Sequence, residues 1–156
     1  MPWTRPALAA FLAVAAALPA ALPAAAQTPQ ATIEARQANF KALARAFKEL
    51  NDEFKRSSPR ADVLRTASAD LQRAASRIGG FFPAGTGPES GLKTDALPAI
   101  WQNPAGFAEA ARRNNAAAEA LVAASRTGDV ERIRAAAGAV GPTCKGCHDS
   151  FRKPQS

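Results

Sequence analysis

A chain of 156 residues supports one domain with one sizeable hydrophobic core, and a second domain is not expected. Its formal net charge of +7 would suit nucleic acid, an anionic membrane or an acidic protein. The twenty lysines and arginines are dispersed through every segment, however, which describes ordinary solvated helix faces rather than a binding block.

Residues 1–26 read as a secretory signal. Arg5 is their only charge, an apolar run spans 7–22, and Ala24-Ala25-Ala26 offers small residues for cleavage, so the mature chain is expected to begin at Gln27. An uncleaved membrane anchor is the alternative, but the apolar core is short and alanine-heavy and carries Pro19 and Pro23. The expected location is the periplasm, without stable membrane insertion, and nucleic acid drops out as a partner. Export also delivers the chain to an oxidising compartment, where two free thiols need an occupant.

Four stretches show helical periodicity and none shows the alternation of a strand. β-Branched residues are scarce and alanine is abundant, so the expected fold is all-α. The first helix is expected over 31–54, with Ile33, Phe40, Leu43, Phe47, Leu50 and Phe54 on one stripe. The second runs from Arg60, after Ser57-Ser58-Pro59, to Ile78, burying Leu64, Ala67, Leu71, Ala74 and Ile78 before Gly79-Gly80 stops it. Residues 79–102 hold half of the ten glycines along with Phe81, Phe82, Pro83, Pro88, Pro98 and Trp101. A loop this long is functional or disordered, and its aromatics argue against disorder. Asn103-Pro104 opens the third helix as cap and first turn, with Phe107, Ala111, Ala118, Leu121, Val122 and Ser125 facing inward until Thr127-Gly128. Asp129 caps the fourth, whose stripe is Val130, Ile133, Ala137, Val140, Cys144 and Phe151, with a kink expected at Pro142. Short connections and one long crossover between helices two and three describe an antiparallel four-helix bundle, an architecture that holds cofactors between its helices.

The last helix carries CKGCH at 144–148, which contains every cysteine and histidine of the chain. Zinc would need a fourth ligand that Asp149, beside His148, is poorly placed to supply. A dithiol redox site would place its CxxC at a helix start after a strand. A disulfide closing so small a loop adds little stability, because the loop-entropy benefit grows with loop length. Covalent attachment of one haem c accounts for all three residues. Cys144 and Cys147 are spaced for the two vinyl groups of one porphyrin, and His148 falls under the iron as its proximal, metal-binding ligand.

Once the signal is removed, neither a methionine nor a second histidine remains for the sixth iron position. Lysine, the new amino terminus and water stay open as ligands, but no sequence feature points to one. The expected iron is therefore five-coordinate and high-spin behind an apolar distal face. Arg36 lies on the first stripe between Ile33 and Phe40, where a charge is costly without a partner. A haem propionate is one reading of that partner; an arginine at the stripe edge snorkelling to water is the other.

The stretches RQANF, FFPAGTGPES followed by IWQNPAGF, GDVERIRAAAGAVG and CKGCHDSFRK resemble cytochrome c′ and its relatives, the class II c-type cytochromes, over essentially the whole mature chain. The resemblance implies a left-twisted four-helix bundle, paired into a homodimer through its first two helices. It implies Cys144 and Cys147 for the haem thioethers, His148 for the iron, and Arg36 near the propionates. It further implies Phe40 as the bulky distal residue that restricts which gases enter, Arg152 as the basic residue beside the proximal histidine, and Trp101 packed near the haem edge. Low-spin members take a methionine from helix one, where this chain has Leu43 and Phe40, so it resembles the high-spin branch even though RQANFKAL looks like the low-spin one.

The function expected is that of a c-type cytochrome acting as an electron carrier, a binder of nitric oxide or carbon monoxide, or both. Dioxygen would lack a polar donor on the Phe40 face. The alternative is a low-spin electron-transfer module that docks small redox partner proteins through its basic surface. An enzyme is not expected, because no nucleophile with a base, paired carboxylates or phosphate loop can be assembled once His148 is on iron.

Overall fold

The computed structural model describes residues 27–154 together with Met1, so the expected signal and its cleavage after Ala26 lie outside the described residues. Four long helices, α1 (Pro29–Phe54), α2 (Ala61–Ala75), α4 (Pro104–Ser125) and α5 (Val130–Phe151), are joined by one single-turn helix, α3 (Ala99–Gln102). Among the described residues the only extended pairing is an isolated antiparallel bridge between Ala96 and Arg152. The all-α expectation stands.

Side-chain caps start three of the four long helices. Thr28 accepts from the Ala31 amide at 3.2 Å ahead of Pro29. Asn103 accepts from the Gly106 amide at 3.0 Å ahead of Pro104. Asp129 accepts from the amides of Glu131 and Arg132 at 3.0 and 3.1 Å. Each fills donors that the helix itself leaves unpaired. α4 leaves through Gly128, whose φ of +72° a side chain would strain. α2 lacks such a cap; its corner with α1 is closed by Glu53, whose Oε1 accepts from the Arg60 amide at 2.8 Å while Oε2 pairs with the Arg60 guanidinium at 3.1 Å.

Three details differ from the expected pattern. α2 ends at Ala75 rather than Ile78, because the Arg77 amide turns to the Ala74 carbonyl, and Gly79-Gly80 fall inside a 3-10 turn over Ile78–Phe81. On α4 the buried face is Phe107, Ala110, Asn114, Ala118, Leu121 and Ser125, with Ala111 and Val122 only half-buried. A stripe written mostly in alanine fixes a helix's rotation weakly, so the neighbouring helices set it. α5 continues unbroken through Pro142, which is exposed.

α1 packs on α2, α2 on α4, and α4 on α5. Leu50, Leu64, Leu71, Leu121, Ile133 and Val140 are entirely shielded from solvent, each such burial contributing about 1.5–3 kcal/mol. α1 and α5 meet at one end only. There a Cβ on Gly141 would lie 3.9 Å from Phe47, and Arg134 donates to the Phe54 carbonyl at 3.2 Å with its guanidinium 4.6 Å above the Phe54 ring. At the other end the crossover segment is strapped to the chain's tail, through Leu97 N to Phe151 O at 3.0 Å and Lys153 N to Asp95 O at 2.8 Å.

Candidate haem site

Where α1 and α5 diverge they enclose a cavity of about 430 Å³. α1 contributes Arg36, Gln37, Phe40, Lys41, Leu43 and Ala44; the crossover contributes Phe82, Thr94, Asp95 and Ile100; α4 contributes Phe107, Ala110 and Asn114; α5 and the residue after it contribute Cys144, Cys147, His148, Phe151 and Arg152. Spacings of three and four place Cys144, Cys147 and His148 on one face of α5. Both cysteines are free thiols and half-buried, while His148 is exposed at the cavity rim.

The titration of these groups follows their surroundings. Burial pushes the Cys144 thiol up, opposed chiefly by a hydrogen bond from Asn114. Burial also raises Cys147, with the neighbouring Cys144 adding to the rise and Arg113 opposing it. The His148 ring loses water against the cavity wall, which lowers its pKa, and Arg152 lowers it further against the pull of Asp149. All three side chains therefore favour their neutral forms.

Arg36 does not snorkel. It is 3 % exposed, and its guanidinium donates to Thr94 Oγ1 at 2.8 Å, the Thr86 carbonyl at 3.0 Å and the Phe81 carbonyl at 3.4 Å, with Phe82's ring 4.6 Å from its centre. These partners are neutral, and among the described residues no carboxylate pairs with it. Desolvation lowers its pKa, yet an arginine stays charged. A buried, uncompensated positive charge thus borders the cavity.

Phe40 opens an aromatic chain across the site. Its ring stands edge-on to Phe82 at 6.4 Å, Phe82 to Phe107 at 4.7 Å, and Phe107 to Phe151 at 5.4 Å. Trp101 does not line the cavity. Its Nε1 donates to the carbonyls of Phe82 and Pro83 at 3.1 and 3.2 Å, and its ring sits where a Cβ on Gly87 would be 2.8 Å away, so it holds Phe82 from behind. Thr86, Thr94, Phe107 and Asn114 had no site role in the sequence reading. Asn114 alone left a signal there, as a polar residue in inward register between Phe107 and Ala118.

The residues present fit a haem c. The volume lies in the range of cofactor pockets, roughly 300–1,000 Å³, the walls are largely apolar, two thiols and an imidazole converge on one wall, and Arg36 supplies a charge suited to a carboxylate. Among the described residues no group of three or more His, Cys, Asp or Glu is arranged to hold an ion directly, which leaves the zinc reading without a built site.

Comparison with known proteins gives the same direction. The family model described as Cytochrome C' matches residues 31–152. A cytochrome c' of Rubrivivax gelatinosus is 35% identical over 127 residues, 81% of this chain and 98% of that protein. A solved cytochrome c' described by an unusual ligand-controlled dimer dissociation superposes with a TM-score of 0.76 at 27% identity, covering 83% of this chain and all of that one. A nitric oxide complex of a cytochrome c prime variant from Alcaligenes xylosoxidans superposes with a TM-score of 0.72 at 28% identity, covering 81% of this chain and 97% of its own.

Proposed function

Since the chain belongs to the cytochrome c′ family and so carries one covalently attached haem c, we propose that it is a periplasmic, non-enzymatic electron carrier and binder of diatomic gases. Cys144 and Cys147 hold the haem by thioethers and His148 ligates its iron. The bound haem supplies an iron that cycles between ferric and ferrous states and offers a five-coordinate, high-spin centre to nitric oxide or carbon monoxide.

The protein's part is to shape that centre. The observation that carries the reading is the α1 wall of the cavity, where Phe40, Leu43 and Ala44 present hydrocarbon and no imidazole or thioether. Phe40, braced by Phe82, limits the size of what approaches and excludes water. Arg36 neutralises a propionate from a buried position, and its charge favours the form of the site with one more electron. Burial, with Arg152 beside it, lowers the pKa of His148 and so favours the neutral imidazole that can ligate. Trp101 keeps Phe82 in place.

The similarity to a relative with ligand-controlled dimer dissociation supports a homodimer, and α1 and α2 are the surfaces proposed to pair. Small redox partner proteins are the expected electron donors and acceptors, docking weakly through surface charge.

One specific feature favours a second reading: Lys41 also lines the cavity, and its amine would give a low-spin iron. Optical and paramagnetic resonance spectra of the haem-loaded mature protein, ferric and ferrous, with and without carbon monoxide, separate the two. High-spin spectra with ready carbon monoxide binding support the open site. Low-spin spectra that ignore carbon monoxide, returning to high-spin in Lys41→Ala, replace it with the lysine-ligated electron carrier.

A further inference from the structure

Asn114 is a polar side chain that neither the core nor iron ligation explains. It is 4 % exposed on the inner face of α4 and lines the cavity. Its Nδ2 donates to Thr143 Oγ1 at 2.8 Å and to Cys144 Sγ at 3.5 Å, while its Oδ1 is buried without a hydrogen-bond partner among the described residues. The orientation of the amide is dictated by its neighbour. Thr143 Oγ1 commits its own proton to the Val140 carbonyl at 2.6 Å, so toward Asn114 it can only accept, and only Nδ2 can meet it. Leucine would fill a similar volume without stranding an oxygen, and a buried amide oxygen with no partner lowers stability. Packing therefore does not account for asparagine at this position.

We propose that Asn114 is a positioning residue for the thioether bond of Cys144. The inference rests on the haem reading above. A buried amide on one helix holds the sulfur of the next helix against the cavity wall, and it distinguishes Cys144 from Cys147, whose sulfur receives no side-chain hydrogen bond among the described residues. In attachment the Cys144 S–H adds across a vinyl double bond. The sulfur–carbon bond forms as the π bond breaks, the thiol proton passes to the neighbouring vinyl carbon, and no oxidant or reductant is consumed. Such an addition depends on holding the sulfur in line with the acceptor carbon, which is what the Nδ2 contact restricts.

The test is Asn114→Leu in the full chain, produced with a haem-maturation system and isolated as holoprotein. Thiol labelling with peptide mass mapping is expected to find a population attached through Cys147 alone, with Cys144 free, raised roughly tenfold over the unaltered protein. The pyridine haemochrome band should move to longer wavelength, as a surviving vinyl group requires, while helicity and the unfolding midpoint are retained or raised. Thr143→Val, which leaves the contact to sulfur available, should keep both bonds. Double attachment at the unaltered level in Asn114→Leu overturns the inference, as does free thiol shared equally between the two cysteines, which a merely structural role would give. Loss of the Cys144 bond in Thr143→Val would move the role to the threonine hydroxyl and overturn it too. Absence of covalent haem from the unaltered chain sinks the haem reading and this inference together, whereas intact double attachment in the leucine variant sinks this inference alone.

Discussion

Near Phe54 and Arg134, where α1 and α5 meet, Leu50, Leu64, Leu121 and Ile133 have no solvent exposure, and the buried Glu53 carboxylate is matched by Arg60. Near Arg36 and His148, where the same two helices part, the buried groups include Arg36, Thr86, Thr94 and Asn114, and a crossover segment replaces direct helix contact. One end can therefore be complete as polypeptide. The other end has largely apolar walls and a buried charge with no carboxylate partner among the described residues, which suits the proposed haem site. Folding stability is expected to reside mostly at the closed end and function at the open one.

The largest test of that division removes the proposed haem anchors. Cys144→Ser combined with Cys147→Ser should abolish haem that survives acid extraction, while circular dichroism still reports the helices of the closed end. Complete loss of helix would mean that the two ends are not separable. Leu64→Ala at the closed end should lower unfolding stability by about 3 kcal/mol through the cavity it leaves, measured by denaturant titration, with the haem spectrum unchanged. Arg36→Met at the open end should cost about 2 kcal/mol through the stranded carbonyls of Thr86 and Phe81. It should also speed amide exchange over 82–95, which the closed-end variant should not.

The smallest expected effect is on pH dependence. The hydrogen bond from Arg60 holds the Glu53 carboxyl below the usual range, with further lowering from Arg56. A lowered native pKa contributes stability in full above the unfolded value of about 4.3, lost as pH falls through the native one. Thermal unfolding of Glu53→Gln followed down through that range should therefore show a shallower acid limb than the parent. An unchanged slope would remove Glu53 from the account of the corner between α1 and α2.

Much of this was legible in local sequence because the determinants are local. CKGCH gathers the proposed haem ligands within five residues, and Asn103-Pro104 and Asp129 mark helix starts by bonds spanning two or three residues. The stripe through Leu43, Leu50, Leu64, Leu71 and Ile133 announced a bundle because bulky apolar residues recur at the helical period. Legibility failed where alanine replaces such residues. On α4 the inward face includes Ala110 and Asn114, and no local preference separates that rotation from the neighbouring one.

The chain alone thus specified helices, their order, the long crossover and the CKGCH cluster, since periodicity, caps and a five-residue motif act over a few residues. Folding decided the partners of Arg36, which come from Thr86 and Thr94 some fifty residues away. It decided that Trp101 braces Phe82 rather than lining the cavity, and that Asn114 meets the sulfur of Cys144 across two helices. These are contacts between distant segments, and their geometry exists only once the helices have packed and fixed one another's rotation.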